Sequence, residues 1–121
     1  MAPRVIPVAP FDLVIFGGTG DLARRKILPA LFRRFVAGQM PEDARVIGSA
    51  RSEMDDAAYR QLAREAIEAH VEARLRDPKT VARFLERVFY IRVDAKGETG
   101  WDLLASRMRE GVVRAFYFSV A

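Results

Sequence analysis

The sequence has no cysteine and only one histidine among its 121 residues. Without cysteine, neither a disulfide framework nor a thiolate metal site can form, and we expect no metal site. No apolar run approaches the roughly 20 residues needed to cross a bilayer. Residues 1–10 contain three prolines and too short an apolar stretch for a signal peptide. These absences predict a cytoplasmic protein that has no membrane contact.

Charge of one sign is in modest excess, with a formal net charge of +4. Basic and acidic residues are interspersed along one predicted helical region at Arg60, Arg64, Glu65, Glu68, Glu72 and Arg74. This spacing is typical of solvated helix faces, so we expect no nucleic-acid partner. Half of the residues are apolar, which suffices for the core of a single domain.

The most informative stretch is a glycine-rich turn between a predicted strand and a predicted helix. The apolar run Leu13–Phe16 leads into Gly17–Gly20, and a helical pattern begins at Asp21. The first turn of a helix carries unpaired N–H groups and a partial positive charge, so it attracts a pyrophosphate. Glycine permits the tight turn and the close approach of an anion. The stretch therefore predicts the phosphate-binding corner of a dinucleotide fold.

The glycine spacing alone leaves an alternative open. Gly17, Gly20 and Ala23 read G-x-x-G-x-x-A, whereas the common dinucleotide pattern is G-x-G-x-x-G. A strand-to-helix turn that binds no ligand would carry similar glycines. The rest of the chain has to decide between the two interpretations.

Apolar periodicity divides the rest of the chain into alternating helices and strands. The predicted helices are Asp21–Val36, a helix capped within Ser52–Asp55 and continuing to Leu75, Thr80–Arg87, and Trp101–Arg109. After the opening strand, the predicted strands are Arg45–Ala50, Val88–Val93 and Val113–Val120. Pro29 lies inside the first helix, where we expect a kink and a lost hydrogen bond.

Strands separated by helices imply parallel βαβ units with right-handed crossovers. We predict an α/β fold, a partial Rossmann-like doubly wound parallel sheet with four strands in the order 3-2-1-4. The predicted domain spans residues 11–121, and residues 1–10 form a leader. An apolar fourth strand with no helix after it to cover it leads us to expect a fragment of a larger protein.

A second indication of function comes where the second predicted strand ends. In dinucleotide folds an acid at this place binds the 2′-hydroxyl of NAD, whereas an arginine accommodates the 2′-phosphate of NADP. This strand ends in Arg51, with no acid before Glu53. Ser49 and Ser52 offer further hydroxyl donors. We therefore predict NADP as the cofactor.

These segments together resemble a known family, glucose-6-phosphate dehydrogenase. Phe16–Lys26 reads F-G-G-T-G-D-L-A-R-R-K, and Pro29 follows, which is similar to the coenzyme motif at that family's N-terminus. The G-x-A-R segment Gly48–Arg51 resembles the end of the family's second strand. Phe116–Ala121 resembles its fourth strand. The resemblance covers nearly the whole chain after residue 10.

The resemblance implies a reaction and a set of coenzyme contacts. The reaction is the oxidation of glucose 6-phosphate to 6-phosphogluconolactone with reduction of NADP, the entry to the pentose phosphate pathway. The residues implied around the pyrophosphate are Gly17, Gly18, Thr19, Gly20, Asp21 and Leu22. Arg51 would bind the 2′-phosphate. Lys26 matches a family lysine between coenzyme and sugar phosphate. Asp94 and Ala95 would edge the adenine pocket, and Ser119 would lie beside the nicotinamide.

No catalytic residue is expected in this chain. The family's segment with the general-base histidine has no counterpart here, and hydride transfer needs such a base. His70 lies at the margin of a helix stripe, far from the glycine turn, and we interpret it as a packing or surface residue. The resemblance also implies glucose 6-phosphate as the partner of the full-length enzyme, which would be a homo-oligomer.

Two other functions stay open from the residues alone. One is an NAD(P)-dependent epimerase or short-chain reductase, which also uses a glycine-rich turn but has a third glycine where this chain has Ala23. Such enzymes need a Tyr-x-x-x-Lys pair, and no such pair occurs here. The other is a nucleotide-binding module without catalysis.

Overall fold

A parallel four-stranded sheet forms the centre of the computed structural model, which describes residues 11–40, 43–93 and 113–118. The strands are β1 (Phe11–Phe16), β2 (Arg45–Ala50), β3 (Val88–Arg92) and β4 (Val113–Phe118). They lie in the order β3-β2-β1-β4, and each pairs with its neighbours in parallel. The predicted fold class and strand order are therefore confirmed.

The helical segments connect the strands on one side of the sheet. They are a π-helical turn (Ala23–Ile27), α1 (Leu28–Val36), α2 (Asp56–His70), a 3-10 turn (Ala73–Leu75) and α3 (Pro78–Leu85). The predicted leader (1–10), the predicted helix Trp101–Arg109 and the end of the last predicted strand lie outside the described residues.

The predicted single helix Asp21–Val36 is two pieces that meet just before Pro29. The N–H of Leu28 donates to the carbonyl of Ala23, five residues earlier, which defines a π turn. Proline lacks an N–H, and its ring clashes with the carbonyl four residues before it inside a regular helix. The wider turn lets Pro29 occupy the first turn of α1, where proline is tolerated. The irregularity is thus a change of helix type before the proline.

Helix α2 ends at His70, five residues before the predicted end at Leu75. Val71 has an extended backbone and is buried, so the chain leaves the helix to place this side chain in the core. Arg33 of α1 donates to the carbonyl of His70 (2.7 Å) and to the carboxylate of Glu72 (2.9 Å). This arginine satisfies one of the carbonyls that a helix end leaves unpaired. The hydrogen bond from Arg33 also holds the pKa of Glu72 below its usual value.

Helix α3 begins two residues before its predicted start. Asp77 caps it, because its carboxylate accepts from the N–H of Thr80 (3.1 Å). Pro78 takes the first helical position, where its missing N–H costs nothing. The predicted break at Asp77 and Pro78 is confirmed, and the same two residues start the next helix.

β1, β2 and β3 are apolar on both faces, as expected for a parallel sheet. One face packs against the helices, with Ile15, Val46 and Tyr90 in the larger cluster. The other face carries a second cluster of buried side chains, namely Val14, Phe16, Ile47, Ile91 and Val93. Successive side chains of a strand point to opposite faces of the sheet, so the residues of β1 belong to the two clusters in turn.

One ion pair lies at the amino ends of the strands, away from the glycine turn. Asp12 of β1 is 0% exposed and is the register partner of Arg45 of β2. Two hydrogen bonds of 2.9 Å join the guanidinium to the two carboxylate oxygens. A buried carboxylate is tolerated only when such partners are present.

Replacing Arg45 with methionine is expected to destabilise the fold by about 3 kcal/mol, because the buried carboxylate of Asp12 loses both of these bonds. The double variant Asp12→Leu with Arg45→Met should recover most of that loss, since no charge then remains buried. Urea unfolding of the two variants measures the difference. A single variant as stable as the double variant would contradict this account.

Candidate functional site

The glycine turn after β1 folds back against the end of β2. The N–H groups of Gly17 and Gly18 both donate to the carbonyl of Ser49 (2.8 and 3.0 Å). Gly17 has a φ of 77°, which residues with a side chain rarely adopt. The N–H of Gly20 donates to the carbonyl of Gly17 (2.9 Å) and closes the turn. Two of the turn's amides are thus used to attach it to the neighbouring strand.

The helical segment after the turn presents its positive end at the same edge of the sheet. The carbonyl of Gly20 accepts from the N–H of Arg24 (3.1 Å), so the first helical turn begins at Asp21. The N–H groups of Asp21, Leu22 and Ala23 lie in the first turn and have no acceptor within the helix. They can bind an anion, and the helix dipole favours one there.

Charged side chains flank this first turn. The Nε of Arg24 donates to the carbonyl of Thr19 (2.9 Å), which attaches the arginine to the turn itself. The carboxylate of Asp21 pairs with Arg25 one helical turn on (2.8 Å), and both side chains are exposed. The pair offsets the negative charge of Asp21 beside the open N–H groups.

Four consecutive carbonyls at the end of β2 all accept hydrogen bonds. After Ser49, the carbonyl of Ala50 accepts from the N–H of Val93 (2.9 Å) and the hydroxyl of Tyr90 (3.0 Å). The same hydroxyl is 2.5 Å from the carbonyl of Ser52. The carbonyl of Arg51 accepts from the Nε of Arg92 (2.8 Å). The backbone here is fixed, while the Arg51 side chain is exposed.

The turn and Arg51 lie at the same edge of the sheet. Arg51 follows Ser49 by two residues, a span of at most about 7 Å. Because the carbonyl of Ser49 is bonded to the glycine turn, the first helical turn and Arg51 lie at neighbouring points of the carboxyl edge. In open α/β sheets, ligands bind outside this edge.

Tyr59 of α2 holds the turn from behind. Its ring is 0% exposed, and its hydroxyl donates to the carbonyl of Gly18 (2.9 Å). A Cβ on Gly48 would overlap this ring, and a Cβ on Gly18 would lie 2.8 Å from the hydroxyl. Burial, followed by the nearby Tyr90, raises the pKa of Tyr59, so its hydroxyl stays protonated as a donor. Helix, turn and strand can meet here only because both positions lack side chains.

The predicted site residues divide by exposure. Arg51, Ser52, Asp21, Lys26 and Leu22 are exposed, Leu22 by 42%, and the turn residues Gly17, Thr19 and Gly20 are half-buried. The predicted contacts Asp94, Ala95 and Ser119 lie outside the described residues. For the predicted site residues, contact with a coenzyme stays a prediction.

The predicted site residues Gly18 and Ser49 are buried, whereas His70, the single histidine, is exposed. Gly18 is buried, and its carbonyl and N–H are both used inside the protein. Ser49 is fully buried with no partner for its Oγ in the described part of the chain, and its carbonyl anchors the turn. His70 is exposed at the end of α2, as predicted.

Sequence reasoning missed the residues that brace the site. The sequence predicted only a helix around Tyr59 and a strand around Tyr90 and Arg92, with no role for any of the three. An isolated glycine in a strand often marks a close approach, so Gly48 was a usable signal for a bulky neighbour. The hydroxyl partners of the two tyrosines had no such signal, because their acceptors are 38 to 41 residues away along the chain.

The described residues include neither a metal-binding cluster nor a membrane-spanning helix. No group of three or more His, Cys, Asp or Glu side chains in these ranges could hold a metal ion. No helix among the same residues has the length and apolar character to cross a membrane.

Comparison with known proteins gives a consistent result. Residues 14–121 match the family described as "Glucose-6-phosphate dehydrogenase, NAD binding domain". The chain belongs to the glucose-6-phosphate dehydrogenase family. It is similar to glucose-6-phosphate 1-dehydrogenase of Rhizobium meliloti, with 45% identity over 99% of this chain and 25% of that protein. The enzyme of Mycolicibacterium smegmatis is 51% identical over 73% of this chain and 18% of its own length.

Solved structures of this family have the same fold. A crystal structure of glucose-6-phosphate 1-dehydrogenase from Mycobacterium avium aligns with a TM-score of 0.82 and 28% identity, covering 93% of this chain and 24% of that one. A reductase domain of a non-ribosomal peptide synthetase from Mycobacterium tuberculosis aligns with a TM-score of 0.53 and 23% identity, which shows the fold alone.

The family assignment accounts for the glycine turn. The chain spans about a quarter of the length of the Rhizobium relative and corresponds to the coenzyme-binding portion of the glucose-6-phosphate dehydrogenase family. A nicotinamide dinucleotide is the ligand of that portion. The resemblance predicted from Phe16–Lys26 is therefore confirmed, in preference to an epimerase or short-chain reductase.

Gly48→Ala is expected to lower the stability of the fold by about 1–3 kcal/mol, because the added methyl group overlaps the ring of Tyr59. The same substitution in a Tyr59→Ala background should cost less, since the overlapping ring is gone. Thermal unfolding of the four proteins in this cycle measures the coupling. Additive effects would show that Gly48 does not owe its identity to Tyr59.

Proposed function

We propose that this chain is the NADP-binding portion of an NADP-dependent glucose-6-phosphate 1-dehydrogenase. The whole protein would oxidise glucose 6-phosphate to 6-phosphogluconolactone at the entry to the pentose phosphate pathway, in the cytoplasm and as a homo-oligomer. The carrying observation is that the Ser49 carbonyl joins the glycine turn to the strand end that bears Arg51. The same edge of the sheet thus offers N–H donors for a diphosphate and a cation for a third phosphate.

The pyrophosphate would lie on the first turn of the helical segment after the glycines. The amides of Gly17, Gly18 and Gly20 already have acceptors in the protein. The donors left for the ligand are therefore the N–H groups of the first helical turn, Asp21 to Ala23, together with that of Thr19. The glycines shape the turn and bring it to β2, and Thr19 lies beside the open amides.

The 2′-phosphate of NADP would bind the guanidinium of Arg51. This side chain is exposed, and it makes no ion pair or hydrogen bond within the described ranges. Ser52 follows it and is exposed as well. An arginine at the end of the second strand is the arrangement that suits a 2′-phosphate in this fold. The proposed contacts fit NADP better than NAD, which carries no phosphate there.

Bound NADP would accept a hydride from the sugar. Lys26 is exposed in the π-helical turn, three to five residues after the proposed pyrophosphate donors, and its ammonium would meet the sugar phosphate. His70 does not serve as the base, because it ends α2 next to Arg33, toward the amino ends of the strands. The proposed contacts of Asp94 and Ala95 with adenine and of Ser119 with nicotinamide complete the coenzyme site.

Arg51→Ala should lower the preference for NADP over NAD by about tenfold to a hundredfold, because a charge-assisted hydrogen bond contributes roughly 1.5–3 kcal/mol. Fluorescence titration of the purified protein with each coenzyme measures the two dissociation constants. Arg34→Ala is the matched control, since Arg34 is an exposed arginine near the far end of α1. If Arg51→Ala leaves the ratio of the two dissociation constants unchanged, the proposed role of Arg51 is refuted.

Lys26→Ala is expected to raise the KM for glucose 6-phosphate by about tenfold or more in the full-length protein, because the sugar phosphate loses a cationic donor. Lys26→Arg should retain part of the affinity, as it keeps the charge. Steady-state NADPH formation measures both, with Lys79→Ala as a control at an exposed lysine of α3. If Lys26→Ala changes the KM no more than Lys79→Ala does, Lys26 does not contact the sugar.

A further inference from the structure

A second exposed arginine lies beside Arg51 at the crevice. Arg92 is the last residue of β3, and the sheet register pairs it with Ala50, the residue before Arg51. Its Nε donates to the carbonyl of Arg51 (2.8 Å). This bond uses one of the five guanidinium N–H donors and orients the group along the strand end. The two terminal nitrogens make no hydrogen bond within the described part of the chain.

The surroundings of this pair favour an anion. Each carbonyl from Ser49 to Ser52 accepts from a donor of the protein, which weakens its repulsion of a phosphate. Among the described residues, no acidic side chain forms an ion pair with Arg51 or Arg92. A dianionic ligand at this strand end would be attracted by the positive charges of both arginines.

We infer that Arg92 is a second phosphate-binding and specificity-determining residue, whose terminal nitrogens bind the 2′-phosphate of NADP together with Arg51. The inference rests on the proposed function, since it assigns a further contact in the same site. A phosphate monoester has up to two negative charges and three acceptor oxygens near neutral pH. One guanidinium fork occupies two of those oxygens at most, which leaves an acceptor for the second arginine.

The competing explanation is that Arg92 only holds the backbone of Arg51 in place. A purely structural arginine would act on the 2′-phosphate through Arg51 and would have no effect once Arg51 is removed. A direct contact would act in either background. The two explanations are therefore separated by a double-mutant cycle.

The test measures dissociation constants of the purified protein for NADP and NAD in four forms: unsubstituted, Arg51→Ala, Arg92→Ala and the double variant. Arg34→Ala controls for the loss of one positive charge. The pair 2′,5′-ADP and 5′-AMP serves as a second probe, because these ligands differ only in the 2′-phosphate. We expect Arg92→Ala to raise the dissociation constant for NADP about tenfold and to change that for NAD by no more than about twofold. In the Arg51→Ala background, the same substitution should raise the dissociation constant for NADP by a further threefold or more.

Three results would overturn the inference. In the first, Arg92→Ala leaves the preference for NADP over NAD unchanged, whereas Arg51→Ala lowers that preference. Another is an equal loss of both coenzymes, which would mean that Arg92 is needed only for the fold of the crevice. The third is the absence of any further loss in the double variant. Equal affinity of the unsubstituted protein for NADP and NAD would instead refute the proposed NADP function, on which the inference rests.

Discussion

The site depends on one contact, in which the carbonyl of Ser49 accepts hydrogen bonds from the N–H groups of Gly17 and Gly18. A helix dipole and a guanidinium act on one ligand only if they face the same crevice. The strand order of the sheet brings β1 and β2 side by side, but it leaves the turn after β1 free to point elsewhere. The bonds from Gly17 and Gly18 remove that freedom. They also require a positive φ at Gly17, which explains why a glycine stands there.

Two tyrosines support this contact from the helix and from the third strand. The hydroxyl of Tyr59 holds Gly18, the hydroxyl of Tyr90 holds the carbonyls of Ala50 and Ser52, and the two rings are 5.3 Å apart. Burial raises the pKa of both, so both remain neutral donors near neutral pH. Buried neutral groups thus hold the backbone from inside the protein, while Arg24 and Arg92 bond it from the exposed side.

The elements that could be predicted were those with a local cause. β2 was predicted with its observed bounds, and the order of the sheet followed from the alternation of strands and helices. The largest error, five residues at the end of α2, occurred where distant residues set a helix end. Helix α2 stops at His70 because Val71 packs in the core and Arg33 of another helix binds the last carbonyl. Neither cause is visible in the local pattern, which continues in helical character to Leu75.

The sequence by itself determined the fold class, the family and the identity of the turn, because each rests on spacing between near neighbours in the chain. It also placed Arg51 at the end of a strand. Only the tertiary structure decided that Gly18 and Ser49 serve the protein with their backbone groups, and that the N–H groups of Gly17, Gly18 and Gly20 already have acceptors. It alone brought Arg92 to Arg51, since 41 residues separate them in sequence and only the β2–β3 register joins them. Local spacing encodes secondary structure, whereas the partners of a carbonyl are set by how the strands and helices pack.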